Sequence, residues 1–225
     1  MAKIVNVGDN IVIVLSPSIF TENNDNQTRM FIYAHEIAHV TNRMKFPSIS
    51  NNSFTENQYL YNLYSLYDEY VADRLAYNVI EKIFPVKSDY WKALIKSEAQ
   101  LFPLFISDFR HYDAIKSEIK AFRVHADVEL YMKNIKRIFD DVSLATTHSF
   151  SLSDSDPSRI RLIDLINLPF VNEKTIALMT FFKGKYEENI FNIHDGIDLI
   201  IDFMTNFGMR FEDRPNSYYC YVLDI

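Results

Sequence analysis

Two histidines four residues apart, His35 and His39, with Glu36 directly after the first, are the residues of this chain best arranged to do chemistry. On a helix, side chains at i and i+4 leave the same face one turn apart, so both imidazoles reach a single metal ion. Glu36 points to one side of that pair. There its carboxylate can take a proton from metal-bound water and pass it to a leaving amine. With 6 histidines and 12 glutamates in 225 residues, chance produces this His-Glu-x-x-His spacing roughly 0.01 times. Two incidental histidines beside an ordinary helix glutamate are therefore the weaker reading.

A catalytic zinc takes three protein ligands and leaves its fourth position to water or substrate. The third ligand is expected from another helix. The run Tyr67-Asp68-Glu69-Tyr70-Val71-Ala72-Asp73 falls in the middle of the next long helical pattern, with Glu69 and Asp73 on one face. Glu69 would complete a two-histidine, one-carboxylate site for one zinc ion per chain. Asp73, one turn on, could accept the outer N–H of a ligand histidine, His35 first among them, fixing its tautomer. The bland alternative is that Asp68, Glu69 and Asp73 form a solvated face paired with Arg74.

The elements that must position these residues read as follows. Ile4–Val7 and Ile11–Leu15 are β-branched runs around Gly8-Asp9-Asn10, a hairpin signature. A helix is predicted from about Asn24 to Met44, closed by Pro47. After a polar loop, Ser53 with Glu56 three residues later opens a capping box. The helix that follows runs to about Phe84 before Pro85, with Tyr59, Tyr61, Tyr64, Tyr67, Tyr70 and Tyr77 as a packed aromatic face. Further helices are expected from Ser88 to near Pro103, within Leu104–Asp141, over Arg159–Asn167, over Glu173–Phe182 and over Asp195–Phe207. The Ser/Thr/Asp-rich stretch Thr146–Ser158 reads as a loop, and Tyr218–Leu223 is β-prone. The fold class expected is α+β and predominantly α-helical, with residues 1–85 as a catalytic core and 86–225 as a helical extension packed on it.

Composition narrows the partners. The chain carries 23 Lys+Arg against 30 Asp+Glu, a formal charge of −7, with no dense basic cluster, so direct nucleic-acid binding is not expected. Its 4 glycines argue against a turn-dense β-barrel or a dinucleotide-binding loop. The single cysteine, Cys220, has no internal disulfide partner and reads as a small buried hydrophobe. No apolar run approaches the roughly 18 residues of a membrane span and no secretory cleavage pattern opens the chain, so the cytoplasm is the default compartment.

On these residues the sequence resembles a family. A hairpin, a helix bearing His35-Glu36-x-x-His39 and a second helix bearing Glu69-x-x-Ala72-Asp73 look like the zincin metallopeptidases of the glutamate-ligand type, the gluzincins. Within them the likeness is greatest to the small bacterial ImmA/IrrE group, and it covers about residues 1 to 85. The resemblance implies a minimal core of a small sheet, an active-site helix and a ligand helix. It implies His35, His39 and Glu69 as zinc ligands, Glu36 as general base and Asp73 behind a ligand. It also implies limited cleavage of a protein partner in a phage-defence, mobile-element or stress circuit. A looser likeness runs to the Lit-type phage-exclusion peptidases.

The function expected is a zinc-dependent metalloprotease with a protein or peptide substrate, with room in residues 86–225 for a regulatory protein. The oxyanion formed on attack needs a second donor. Tyr77, two turns past Glu69, and His148 are candidates for that donor or for a substrate contact, with His111, Tyr112, His125 and Arg159 behind them. The rivals are an inactive zincin-like interaction module, and a non-peptidase zinc hydrolase or toxin effector.

Overall fold

The computed structural model describes residues 2–7, 10–15, 17–20, 25–46, 54–89, 91–92, 137–157, 171–206, 209–215 and 217–222. It is mostly helical. Strands β1 (Ala2–Val7) and β2 (Asn10–Leu15) pair as an antiparallel hairpin, with Val7 opposite Asn10, and a short 3-10 turn (Pro17–Phe20) follows. Helices α1 (Asn26–Lys45) and α2 (Phe54–Ile83) come next, then α3 (Arg137–Ser155), α4 (Glu173–Glu187) and α5 (Ile197–Asn206). A second antiparallel hairpin, β3 (Met209–Arg214) with β4 (Ser217–Val222), ends the described chain. No helix among the described residues is long and apolar enough to cross a membrane.

Local chemistry sets the ends of the two central helices. Asp25 caps α1 by accepting from the Thr28 amide at 2.8 Å, and Phe46 leaves the helix in an extended conformation (φ −69°, ψ 134°). That is the geometry a following proline, Pro47, imposes. At the other end of the pair, Lys87 Nζ donates to the carbonyls of Phe84 (2.8 Å) and of Ile80 (3.1 Å), the latter also accepting from the Phe84 amide. The Gln27 side chain donates to the Val86 carbonyl at 2.9 Å and accepts from the Ser88 amide at 3.0 Å. The start of α1 is thereby tied to the segment leaving α2.

Helix α2 is central. It packs against α1 on one side and against α3, α4, α5, β3 and β4 on the others. Leu60, Leu63, Tyr67, Tyr70, Val71 and Ile80 are buried in one core with Phe139, Val142, Phe182, Phe203 and Met209, so that core spans both sides of Pro85. A helix contacted all round loses the one-sided amphipathic pattern of a surface helix. The tyrosine stripe is packed as expected at 59, 64, 67 and 70, and each of three phenols meets a partner. Tyr59 Oη accepts from the Phe211 amide (2.8 Å), Tyr67 donates to the Ile190 carbonyl (2.9 Å) and Tyr70 donates to Asp154 (2.6 Å). Tyr61 departs from the stripe and is 65% exposed, although it lies three residues before Tyr64.

Three expectations need correction. Thr146–Ser158 is not a loop, since helix runs through Ser155. Its hydroxyls bond back along the helix, Thr147 to the Ser143 carbonyl (2.9 Å) and Ser155 to that of Ser151 (2.8 Å), and the small side chains let α3 press onto α2. Packing of Val142, Ala145, Phe150 and Leu152 overrides the weak helix preference of serine and threonine. Helix α4 extends past Phe182, through Gly184, to Glu187. The helix stops at Asn189, whose φ of 55° is left-handed. The amide of Ile190 then bonds the Lys185 carbonyl (2.8 Å) and that of Asn189 bonds the Tyr186 carbonyl (3.0 Å). Strand β3 went unread although Met209 and Phe211 are buried and Arg210 and Glu212 exposed, the period of two of a half-buried strand.

The turn at Gly8-Asp9, Ser53 of the capping box, the helices expected within 93–136 and 158–170, and the Cys220 side chain lie outside the described residues.

Candidate metal centre

Helices α1 and α2 run antiparallel, so each turn forward along one meets a turn backward along the other. Phe31 meets Tyr77 (ring centroids 4.9 Å apart), His35 meets Asp73 and His39 meets Glu69. This register converts the His-x-x-x-His spacing of α1 and the Glu-x-x-x-Asp spacing of α2 into one cluster. His35 Nε2 lies 2.9 Å from His39 Nε2, and Glu69 Oε2 lies 3.4 Å from the first and 3.6 Å from the second.

Behind each imidazole stands a carboxylate. Asp73 Oδ1 is 3.0 Å from His35 Nδ1, and Asp68 Oδ2 is 2.9 Å from His39 Nδ1. A carboxylate accepts only, so each aspartate favours hydrogen on the Nδ1 it faces, and a neutral ring in that tautomer turns the lone pair of Nε2 inward. Two imidazole lone pairs and a carboxylate oxygen then face one another with no donor among them. Such a set needs a positive charge at its centre.

The three atoms fit a tetrahedral zinc. Bonds of 2.0 to 2.2 Å set ligand-to-ligand edges of about 3.4 Å, so the two edges to Glu69 match and the histidine edge would open by about half an ångström. Only these three residues form a group of this kind among the described residues. In the metal-free protein protons take that role. Burial opposes charge on His35, yet Asp73 and Glu69 push its pKa up to about 10, and Asp68 and Glu69 likewise outweigh burial to push His39 up to about 9. Burial would raise Glu69, but the two histidines hold it down at about 2.

Asp73 is the most enclosed of the acids, its side chain 4% exposed. Besides pairing with His35 it accepts from Ser151 Oγ (2.8 Å) and from His148 Nδ1, both on α3. Burial works against its charge, but His148 and His35 keep it well below the usual carboxylate range, while Asp73 in turn raises His148 against its own burial. The His148 ring lies 6.3 Å from that of His35. A residue expected on a loop is thus delivered to the site by a helix.

Other expected residues fall as follows. Glu36 follows His35 on α1, partly buried, and has no side-chain ion-pair or hydrogen-bond partner among the described residues. Tyr77 stacks on Phe31 and Trp91, one ring removed from His35. Asp68 and Asp73 do not form a solvated face with Arg74, whose guanidinium instead lies 5.0 Å over the Tyr186 ring. His111, Tyr112, His125 and Arg159 lie outside the described residues. Sequence reasoning missed Asp68 as the support of His39, and Asn42, which donates to Asp68 at 2.9 Å. Reversing the register of two antiparallel helices would have found both, since His39 and Asn42 on α1 must meet the turn of α2 around Asp68 and Glu69.

No family model matches this chain, and neither a curated protein nor a solved structure matches it.

Proposed function

We propose that this protein is a zinc-dependent metallopeptidase that makes limited cuts in a specific protein. The observation carrying this reading is the convergence of His35 Nε2, His39 Nε2 and Glu69 Oε2, each histidine backed by a buried aspartate. When bound, zinc would lower the pKa of water toward about 7 and polarise a peptide carbonyl. His35, His39 and Glu69 would hold the ion. Glu36, beside the pair and without a cationic partner among the described residues, accepts a proton from the attacking water. It then returns that proton to the departing amine. Water and the peptide bond give a carboxylate and an amine, so no further reactant is needed.

The arrangement of hairpin, His-Glu-x-x-His helix and Glu-x-x-x-Asp helix supports a gluzincin-type core, with the ImmA/IrrE group as the nearest resemblance. The acidic chain favours a protein or peptide substrate over nucleic acid. The test is to express wild type and Glu36→Gln in the same cells and compare newly created protein N-termini. A discrete set made by wild type and reduced by about 10²- to 10⁴-fold in Glu36→Gln, with zinc retained, is the expected result. Identical N-terminal profiles from a zinc-loaded wild type and Glu36→Gln would contradict it.

A further inference from the structure

Asp68 sits between the two central helices with both carboxylate oxygens engaged by α1. Oδ1 accepts from the Asn42 amide nitrogen at 2.9 Å, and Oδ2 faces His39 Nδ1 at 2.9 Å. Asn42 is fully buried, and the Asp68 side chain is 12% exposed. The three residues make a closed link in which α1 holds an acid of α2, and that acid holds a histidine of α1.

We propose that Asp68, oriented by Asn42, is a positioning residue that fixes His39 in its Nδ1–H tautomer and so aims the Nε2 lone pair at the metal position. This inference rests on the metal-site reading above. It differs from the role of Asp73, which is shared by His35, His148 and Ser151. Among the described residues Asp68 has a single side-chain donor on its other oxygen, and that donor sets which way a replacement amide turns.

Consider Asp68→Asn. With Asn42 kept in its present orientation, its nitrogen takes the oxygen of the introduced amide, whose NH2 then turns toward His39 Nδ1. A donor facing Nδ1 favours the opposite tautomer, with hydrogen on Nε2 where the metal should bind. Adding Asn42→Asp reverses this. The new carboxylate on α1 accepts from the introduced amide, whose oxygen then faces Nδ1 again. The double exchange keeps the composition and charge of the pair and restores the tautomer.

The experiment measures zinc affinity by chelator competition for wild type, Asp68→Asn and the double exchange, with ring-nitrogen NMR of His39 in metal-free protein at alkaline pH. Asp68→Asn should bind zinc about 10- to 100-fold more weakly and show hydrogen on Nε2. The double exchange should recover most of the affinity and the Nδ1–H signal. Unchanged affinity in Asp68→Asn, or a loss that the exchange does not recover, overturns the assignment. A wild type that takes up no zinc overturns the metal-site reading instead, so the two failures are distinguishable.

Discussion

On one side of α2, Tyr67 and Tyr70 pack on Phe182 of α4, with ring centroids 5.4 and 6.0 Å away, and each phenol donates one hydrogen bond. On the other side, within two turns of the same helix, Asp68 and Asp73 are buried and Glu69 is pressed against two imidazoles. The first face gains stability from apolar area and satisfied polar tips, and burial pushes both phenols up so that they stay un-ionised. The second face buries two acids and partly buries a third, which is costly unless cations compensate. Histidine protons compensate in the metal-free protein, and a divalent ion is expected to replace them. One helix thus carries a face that holds the fold and a face that holds charge.

If that division is right, pH acts on the charged face alone, and it acts strongly. At neutral pH the paired imidazoles hold added proton in the metal-free protein, because Asp73, Asp68 and Glu69 raise both histidines above neutrality. Zinc must displace it, so at least one proton should be released per ion and affinity should rise about tenfold or more per pH unit across neutrality. Calorimetry in buffers of different ionisation enthalpy counts those protons, and release of none would break the comparison. For stability the signs are opposite at the two ends. The raised histidines contribute fully below 6.5 and lose their contribution as pH climbs through 9 and 10. Glu69 contributes above 4.5 and loses its contribution as pH falls toward 2. Thermal melts of metal-free protein should therefore decline from about pH 6.5 upward and level off once pH passes 10.

The apolar face answers to a different substitution. Phe182→Ala should remove about 3 to 5 kcal/mol of stability, read by urea unfolding, while zinc per folded chain stays at the wild-type value. A loss of zinc binding in the folded fraction would show that the two faces are not separable. Asp73→Asn should do the converse by weakening zinc binding about 10- to 100-fold. The oxygen of the introduced amide can still accept from His148 and Ser151, so α3 should stay docked. The smallest effect is expected away from both faces. Asn172→Ala removes the cap that accepts from Lys174 N and Thr175 N, costing about 1 kcal/mol with no change in zinc affinity.

How much of this could be read from the chain depended on whether the signal was local. His35, Glu36 and His39 declare themselves because one helical turn places them together, and Glu69 and Asp73 follow from the same spacing on the next helix. The ends of α1 and α2 were legible from Pro47 and Pro85. The role of Asp68 was hidden because it depends on the register between two helices, and that of His148 because its helix looks like a loop. The serine- and threonine-rich sequence of α3 has little intrinsic helix preference, and only its packing on α2 makes it helical. Strand β3 was missed for a related reason: Arg210, Glu212 and Asp213 mask an alternation carried by two residues, Met209 and Phe211.

The central claim is that α1 and α2 together build one open zinc site. The measurement that tests it most directly is equilibrium zinc stoichiometry of the purified protein, wild type beside Glu69→Ala. One zinc per chain in wild type, with binding severely weakened in a folded Glu69→Ala, is the expected result. No uptake by wild type at neutral or mildly alkaline pH, or equal uptake by Glu69→Ala, would contradict it.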